Sequence, residues 1–105
     1  DVHYLQEGKS GWIELKYMSK WPKKRFSSGI KLNQVFWARD YIKKGGQSWI
    51  LIRIAREFTA LVNGKNAEAL FDRPSKSDFL KICDFYKKGN MSEEDWDEIS
   101  ETIIS

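Results

Sequence analysis

Along this chain, stretches in which apolar and polar residues alternate give way to stretches with helical spacing. Residues 1–6, DVHYLQ, alternate as a strand does, EGKSG supplies turn chemistry, and WIELKY alternates again, so the opening predicts a β-hairpin. The segment 18–31 breaks any period with Pro22, Ser27, Ser28 and Gly29 and is expected as a loop. LNQVFWARDYIKKGG fits a helix with Asn33 available as its cap; Val35/Phe36, Ala38/Arg39 and Tyr41/Ile42 alternate between faces, and Lys43-Lys44-Gly45-Gly46 forms the stop. SWILIRIA, rich in β-formers, predicts a central strand; FTALV is a further strand turned at Asn63-Gly64, with AEALF returning against it.

After Pro74, SKSDFLKICDFYKKGN is expected as one amphipathic helix that buries Phe79, Leu80, Ile82, Cys83 and Phe85/Tyr86. MSEEDWDEISETIIS then predicts a last helix with Ser92 as N-cap and acids in the first turn, where the helix dipole favours them. The expected fold class is α/β, a small mixed β-sheet flanked by helices.

Length and composition narrow the function. At 105 residues the chain is expected to form one domain, 1–105, and its 41% hydrophobic and 31% charged content is that of a folded rather than a disordered protein. No apolar run approaches a membrane span and the N-terminus does not resemble a signal peptide, so no membrane partner is expected. A single cysteine, Cys83, excludes an internal disulfide and a thiolate metal cluster, and points to a reducing, cytoplasmic setting. With one histidine, serine–histidine–aspartate triads have little room, and neither a glycine-rich phosphate loop nor a zinc spacing is present.

The net charge of +3 matters less than its distribution. Lys16, Lys20, Lys23, Lys24, Arg25 and Lys31 follow one another with no acid between them, whereas Glu93, Glu94, Asp95, Asp97, Glu98 and Glu101 crowd the C-terminal helix with no base. The first block suits a phosphate backbone, with Trp21 and Phe26 at hand to stack on splayed bases; a solvated flexible loop is the alternative. Trp12, Trp37 and Trp49 are expected as core or interface anchors and Cys83 as packing.

Strand parity gives the hairpin a chemical interest. The register that pairs Asp1 with Lys16, His3 with Glu14 and Leu5 with Trp12 gathers Asp1, His3, Glu14 and Lys16 on one face and leaves Val2, Tyr4, Ile13 and Leu15 on the other. Paired carboxylates bind Mg²⁺, with the Leu15 carbonyl as a further hard oxygen donor, and a lysine two residues along the strand reaches the same face. Such a lysine can balance charge developing on a phosphoryl group. A solvated cross-strand ion pair is the plainer reading of the same residues.

The order of these pieces resembles the PD-(D/E)XK nuclease superfamily, nearest to its small phage resolvase-like members and the virus-type replication-repair nuclease domains. The resemblance is carried by Asp1, by Glu14 and Lys16 in WIELK, by Leu32, Gln34 and Trp37 in KLNQVFW, and by the helix–glycine–strand passage YIKKGGQSWILIRI. It covers roughly residues 1–63, leaving 64–105 as a C-terminal strand and helices. It implies a restriction-endonuclease-like core without its first helix and first strand, as in a trimmed chain or one completed by another subunit. It further implies a Mg²⁺-dependent DNA endonuclease, with Mn²⁺ as substitute metal, of structure-selective, resolvase-like or homing type. Asp1 and Glu14 would be metal ligands with the Leu15 carbonyl, Lys16 the catalytic lysine and Gln34 a supporting site residue. Lys20, Lys23, Lys24, Arg25 and Lys31 would hold DNA, and His3 is a further site candidate. A homodimer and a phage-encoded origin in a bacterial host complete the expectation. The alternative from another class is a non-catalytic DNA-binding or assembly module on the same scaffold.

Overall fold

A computed structural model describes residues 2–6 and 8–104. In chain order the elements are β1 (Val2–Gln6), β2 (Lys9–Met18), α1 (Leu32–Lys43), β3 (Gln47–Ile54), β4 (Phe58–Asn63), a 3₁₀ turn (Gly64–Asn66), α2 (Ala67–Phe71), α3 (Lys76–Ile82), β5 (Cys83–Lys88) and α4 (Glu93–Ile104). The strands form one sheet in the order β1-β2-β3-β4-β5. Only β2 and β3, joined through α1, run parallel; the other neighbours are antiparallel. The molecule is therefore a small mixed α/β domain.

Burial follows the pleat. On one face Ile50, Ile52, Ile54, Phe58, Ala60 and Val62 form the main core, closed by Val35 and Ala38 of α1, by Leu70 of α2 and by Phe79 of α3. On the other, Trp49, Leu61 and Phe85 pack against Ile99 and Ile103 of α4. Strand β4 is buried along nearly its whole length, as expected for a strand covered on both faces.

The hairpin keeps the predicted faces but not the predicted register. His3 lies opposite Trp12, and Tyr4 opposite Gly11, two residues from the expected pairing. The connection is shorter than EGKSG suggested: Gln6 already pairs with Lys9, and Gly8 takes φ +80°, as tight hairpin turns require. Gly11 matters for the same register. A Cβ there would stand 2.3 Å from the Tyr4 ring, so the ring lies over bare backbone and its hydroxyl donates to Gln47 Oε1 at 2.6 Å.

Elsewhere two segments depart from the expected elements. AEALF is helical, not a returning strand; Ala67 and Leu70 share the buried side at a spacing of three, and Ala, Glu and Leu are good helix formers. The long helix expected after Pro74 stops at Ile82, and Cys83–Lys88 instead pairs antiparallel with β4. The apolar β4 would otherwise leave a sheet edge uncovered. Phe85 turns inward and its neighbour Tyr86 is half exposed, which is strand alternation. Cys83 is a packing residue, as expected: its Sγ–H donates to the Phe79 carbonyl at 3.3 Å, and burial pushes its thiol up to about 12.

Helix α4 begins as its sequence foretold. Asp95 N–H donates to Ser92 Oγ at 3.2 Å, and Asp95 Oδ2 accepts from Ser92 N–H at 2.8 Å. Lys87 of β5 also pairs with Asp95. That hydrogen bond, with those from Ser92, holds the Asp95 carboxyl at about 2, below its ordinary 3.8. A depressed carboxylate stabilises the fold above its unfolded value and loses that contribution as pH falls toward 2. The stability difference between the protein and its Asp95→Asn variant, read from urea midpoints, should thus be largest above about pH 4 and shrink on acidification. A difference independent of pH between about 2 and 6 would contradict the pairing.

Candidate active site between β2 and α1

Alternation along β2 sends Trp12, Glu14, Lys16 and Met18 to the face covered by α1, and the parallel register sets Trp12, Glu14 and Lys16 beside Ser48, Ile50 and Ile52 of β3. Charged groups in that position lie over apolar neighbours, and the Lys16 and Glu14 side chains are only 18% and 23% exposed. They pair with each other at 3.1 Å. This is not the solvated cross-strand pair of the plainer reading: both partners come from one strand and are largely withdrawn from water.

Gln34, in the first turn of α1, completes the cluster. Its Nε2 donates to Glu14 Oε1 at 2.5 Å, while its Oε1 accepts from Lys16 Nζ at 3.4 Å and from the Lys31 backbone N–H at 2.9 Å. The last bond satisfies an open donor at the helix start, so it is Gln34 rather than Asn33 that caps α1. A single amide thus ties the end of the basic loop, the helix start and the charged pair together. With both ends of the amide engaged by protein groups, Gln34 orients Glu14 and Lys16.

Glu14 and Gln34 of the cluster form one side of an open cleft of about 490 Å³. Trp12, Trp37, Asn33 and Ser48 line it with Glu14 and Gln34, above Ile50 and Ala38. Trp37 is 48% exposed, and Trp12 likewise faces this cleft instead of serving as a core anchor; of the three tryptophans, Trp49 is the one buried in the core.

Of the remaining expected site residues, Asp1 lies outside the described residues. Leu15 stands between Glu14 and Lys16 with its side chain on the opposite face, half exposed. His3 is not paired with Glu14; it lies against Trp12 at 4.7 Å between ring centroids, and its Nε2 is 2.9 Å from Ser10 Oγ. Lys20, Lys23, Lys24 and Arg25 are exposed on the connection from β2 to α1. Arg25 donates to the Arg73 carbonyl at 3.1 Å, and Lys31 directly precedes α1. Phe26, offered as a base platform, is 1% exposed and stacked on Phe79, and Trp21 packs edge-on against Phe58. Neither forms a free stacking surface, because the loop that carries the lysines is folded onto the main core.

Sequence reasoning missed the aromatic wall of the cleft. Trp37 stacks on Tyr41 one helical turn on, at 4.9 Å and 10°, a contact that the i, i+4 spacing makes legible in principle. No protein-family model and no curated protein matches this chain. Among the described residues no helix is long and apolar enough to cross a membrane. The fold itself defines only the class, a small mixed α/β domain with a charged cluster midway along its parallel strand pair.

Proposed function

We propose that this chain is a Mg²⁺-dependent DNA endonuclease domain, cutting phosphodiester bonds at the Glu14–Lys16–Gln34 cluster. The observation that carries the reading is the convergence of an acid and a lysine from one strand face with an amide from the following helix, all within 3.4 Å of one another. Mg²⁺ takes hard oxygen donors. The Glu14 carboxylate and the Leu15 carbonyl are of that kind, but no group of three His, Cys, Asp or Glu side chains stands together among the described residues. Glu14 is thus the carboxylate that the described residues supply, and the second one the reading calls for, Asp1, lies outside them. Bound there, the metal supplies a water of lowered pKa and neutralises phosphoryl charge. Lys16 then balances charge on the phosphate oxygens, and Gln34 keeps Glu14 turned toward the site.

The exposed lysines of the β2–α1 connection suit the backbone of the bound strand. Duplex or branched DNA offers two strands to cut, which favours a homodimer. Replacing Lys23 and Lys24 by alanine should weaken DNA binding uniformly across sequences. It should also flatten the logarithmic salt dependence by about 0.9 for each phosphate that the variant no longer neutralises. An unchanged slope would remove this segment from the interface.

The test of the whole reading is cleavage of branched, duplex and single-stranded DNAs with Mg²⁺, Mn²⁺ or EDTA. Metal-dependent cutting is expected. The competing reading, a non-catalytic DNA-binding or assembly module, is favoured by the Glu14 carboxylate being already engaged by Lys16 and Gln34. It predicts salt-sensitive binding without cutting under any metal.

A further inference from the structure

We infer that the cleft beside Glu14 is a nucleobase subsite, which takes an unpaired base from a single-stranded or splayed segment while the adjoining phosphate lies toward Lys16. The inference rests on the nucleic-acid reading above, though not on cleavage, and it names the class of strand that the site prefers.

Several features fit a base better than an apolar side chain. A volume of about 490 Å³ is in the range of small-molecule sites. Its walls are the indoles of Trp12 and Trp37, whose rings meet edge to face at 6.2 Å. Its lining also includes the amide of Asn33 and the buried Ser48. A base presents an aromatic face and a hydrogen-bonding edge, matching both sets. An apolar side chain would strip water from those polar groups and return no hydrogen bond. A cation stands next to the cleft as well: Lys16 Nζ is 3.1 Å from the Glu14 carboxylate that lines it.

The walls are also held in place before anything binds. His3 lies on Trp12, Trp12 meets Trp37, and Trp37 stacks on Tyr41. Ser10 Oγ closes the circuit, 2.9 Å from His3 Nε2 and 3.0 Å from the Tyr41 hydroxyl. Such a closed ring of side chains leaves little freedom to be given up on binding. It lies at the surface, where the main core does not require it, and it gives His3 a part in supporting the wall.

The experiment is anisotropy of short labelled single strands in EDTA, so that binding is read without cutting. Intact strands are compared with strands carrying abasic sites and with duplex of the same length, for the wild type, Trp37→Ala and Trp37→Phe. Trp37→Ala should weaken binding of intact single strands by roughly tenfold or more, the usual effect of removing one base–aromatic stack. Duplex affinity should hold and Trp37→Phe should recover much of the loss. The wild type should bind the abasic strand about as weakly as Trp37→Ala binds the intact one, a comparison that requires no variant to fold. Equal wild-type affinity for intact and abasic strands would overturn the subsite and leave the nucleic-acid reading standing. No salt-sensitive binding to any of the DNAs would overturn both.

Discussion

Glu14→Gln and Lys16→Met are each expected to lower metal-dependent DNA cleavage by about 10²- to 10³-fold, the usual scale for removing one charge-stabilising group from a reacting centre. Both substitutions nearly keep side-chain volume, which matters because the pair sits over Ile50 and Ile52. Glu14→Gln preserves an oxygen for Gln34 Nε2 to donate to but removes the anion, leaving the Lys16 ammonium partly buried without its partner. Lys16→Met removes the ammonium and leaves Glu14 held by Gln34. Some loss of stability accompanies either change, since one partner of a sequestered ion pair is left behind. Cleavage rates are therefore compared under conditions where circular dichroism shows each variant folded. DNA affinity in EDTA should fall far less than the rate, by no more than the loss of one phosphate contact at Lys16, because the exposed lysines of the β2–α1 connection remain. If either variant cuts at near wild-type rate with the metal, the cluster is not the reacting centre.

The second large effect is on stability. Phe26→Ala should destabilise the fold by about 3–5 kcal/mol, the usual cost of emptying a phenylalanine site in a core. For a domain of this size that lowers Tm by at least about 12 °C. The cause is the position of the ring: 1% exposed, stacked on Phe79 at 3.8 Å, with the Phe26 N–H donating to the Pro74 carbonyl at 2.7 Å. A residue that stacked on DNA would behave in the opposite way, lowering affinity on removal while leaving Tm almost unchanged. Thermal unfolding followed by circular dichroism decides between the two; a shift of a degree or two would refute core packing. The same anchoring holds the neighbouring Lys23, Lys24 and Arg25 on a defined path, as the bond from Arg25 to the Arg73 carbonyl also indicates.

The sequence was most readable where one physical signal dominated. Alternation in WIELKY gave β2 and the shared face of Glu14 and Lys16, because the side-chain period of a strand is two whatever it pairs with. Helical spacing and the Gly45-Gly46 stop gave α1, and Ser92 gave the start of α4. For the site, the grouping of Glu14 with Lys16 was legible from spacing, and the approach of Gln34 entered only through the family resemblance. Its double role as orienting amide and helix cap was not legible, since a glutamine in a first turn has many acceptors within reach.

Register, edges and loops were decided by the tertiary structure. Two hairpin registers two residues apart place the same side chains on the same faces, so the apolar pattern could not choose between them; the tight turn at Gly8 and the Tyr4 ring over Gly11 did. Cys83–Lys88 reads equally well as helix or strand, and the open edge of β4 settled it as β5. Trp12, Trp37 and Phe26 are alike in hydrophobicity, yet two line a cleft and one fills the core. By itself, then, the sequence determined which residues share a face and where most elements begin, through local periods and caps. Only the tertiary structure decided what each face meets, because burial is settled by neighbours distant in sequence.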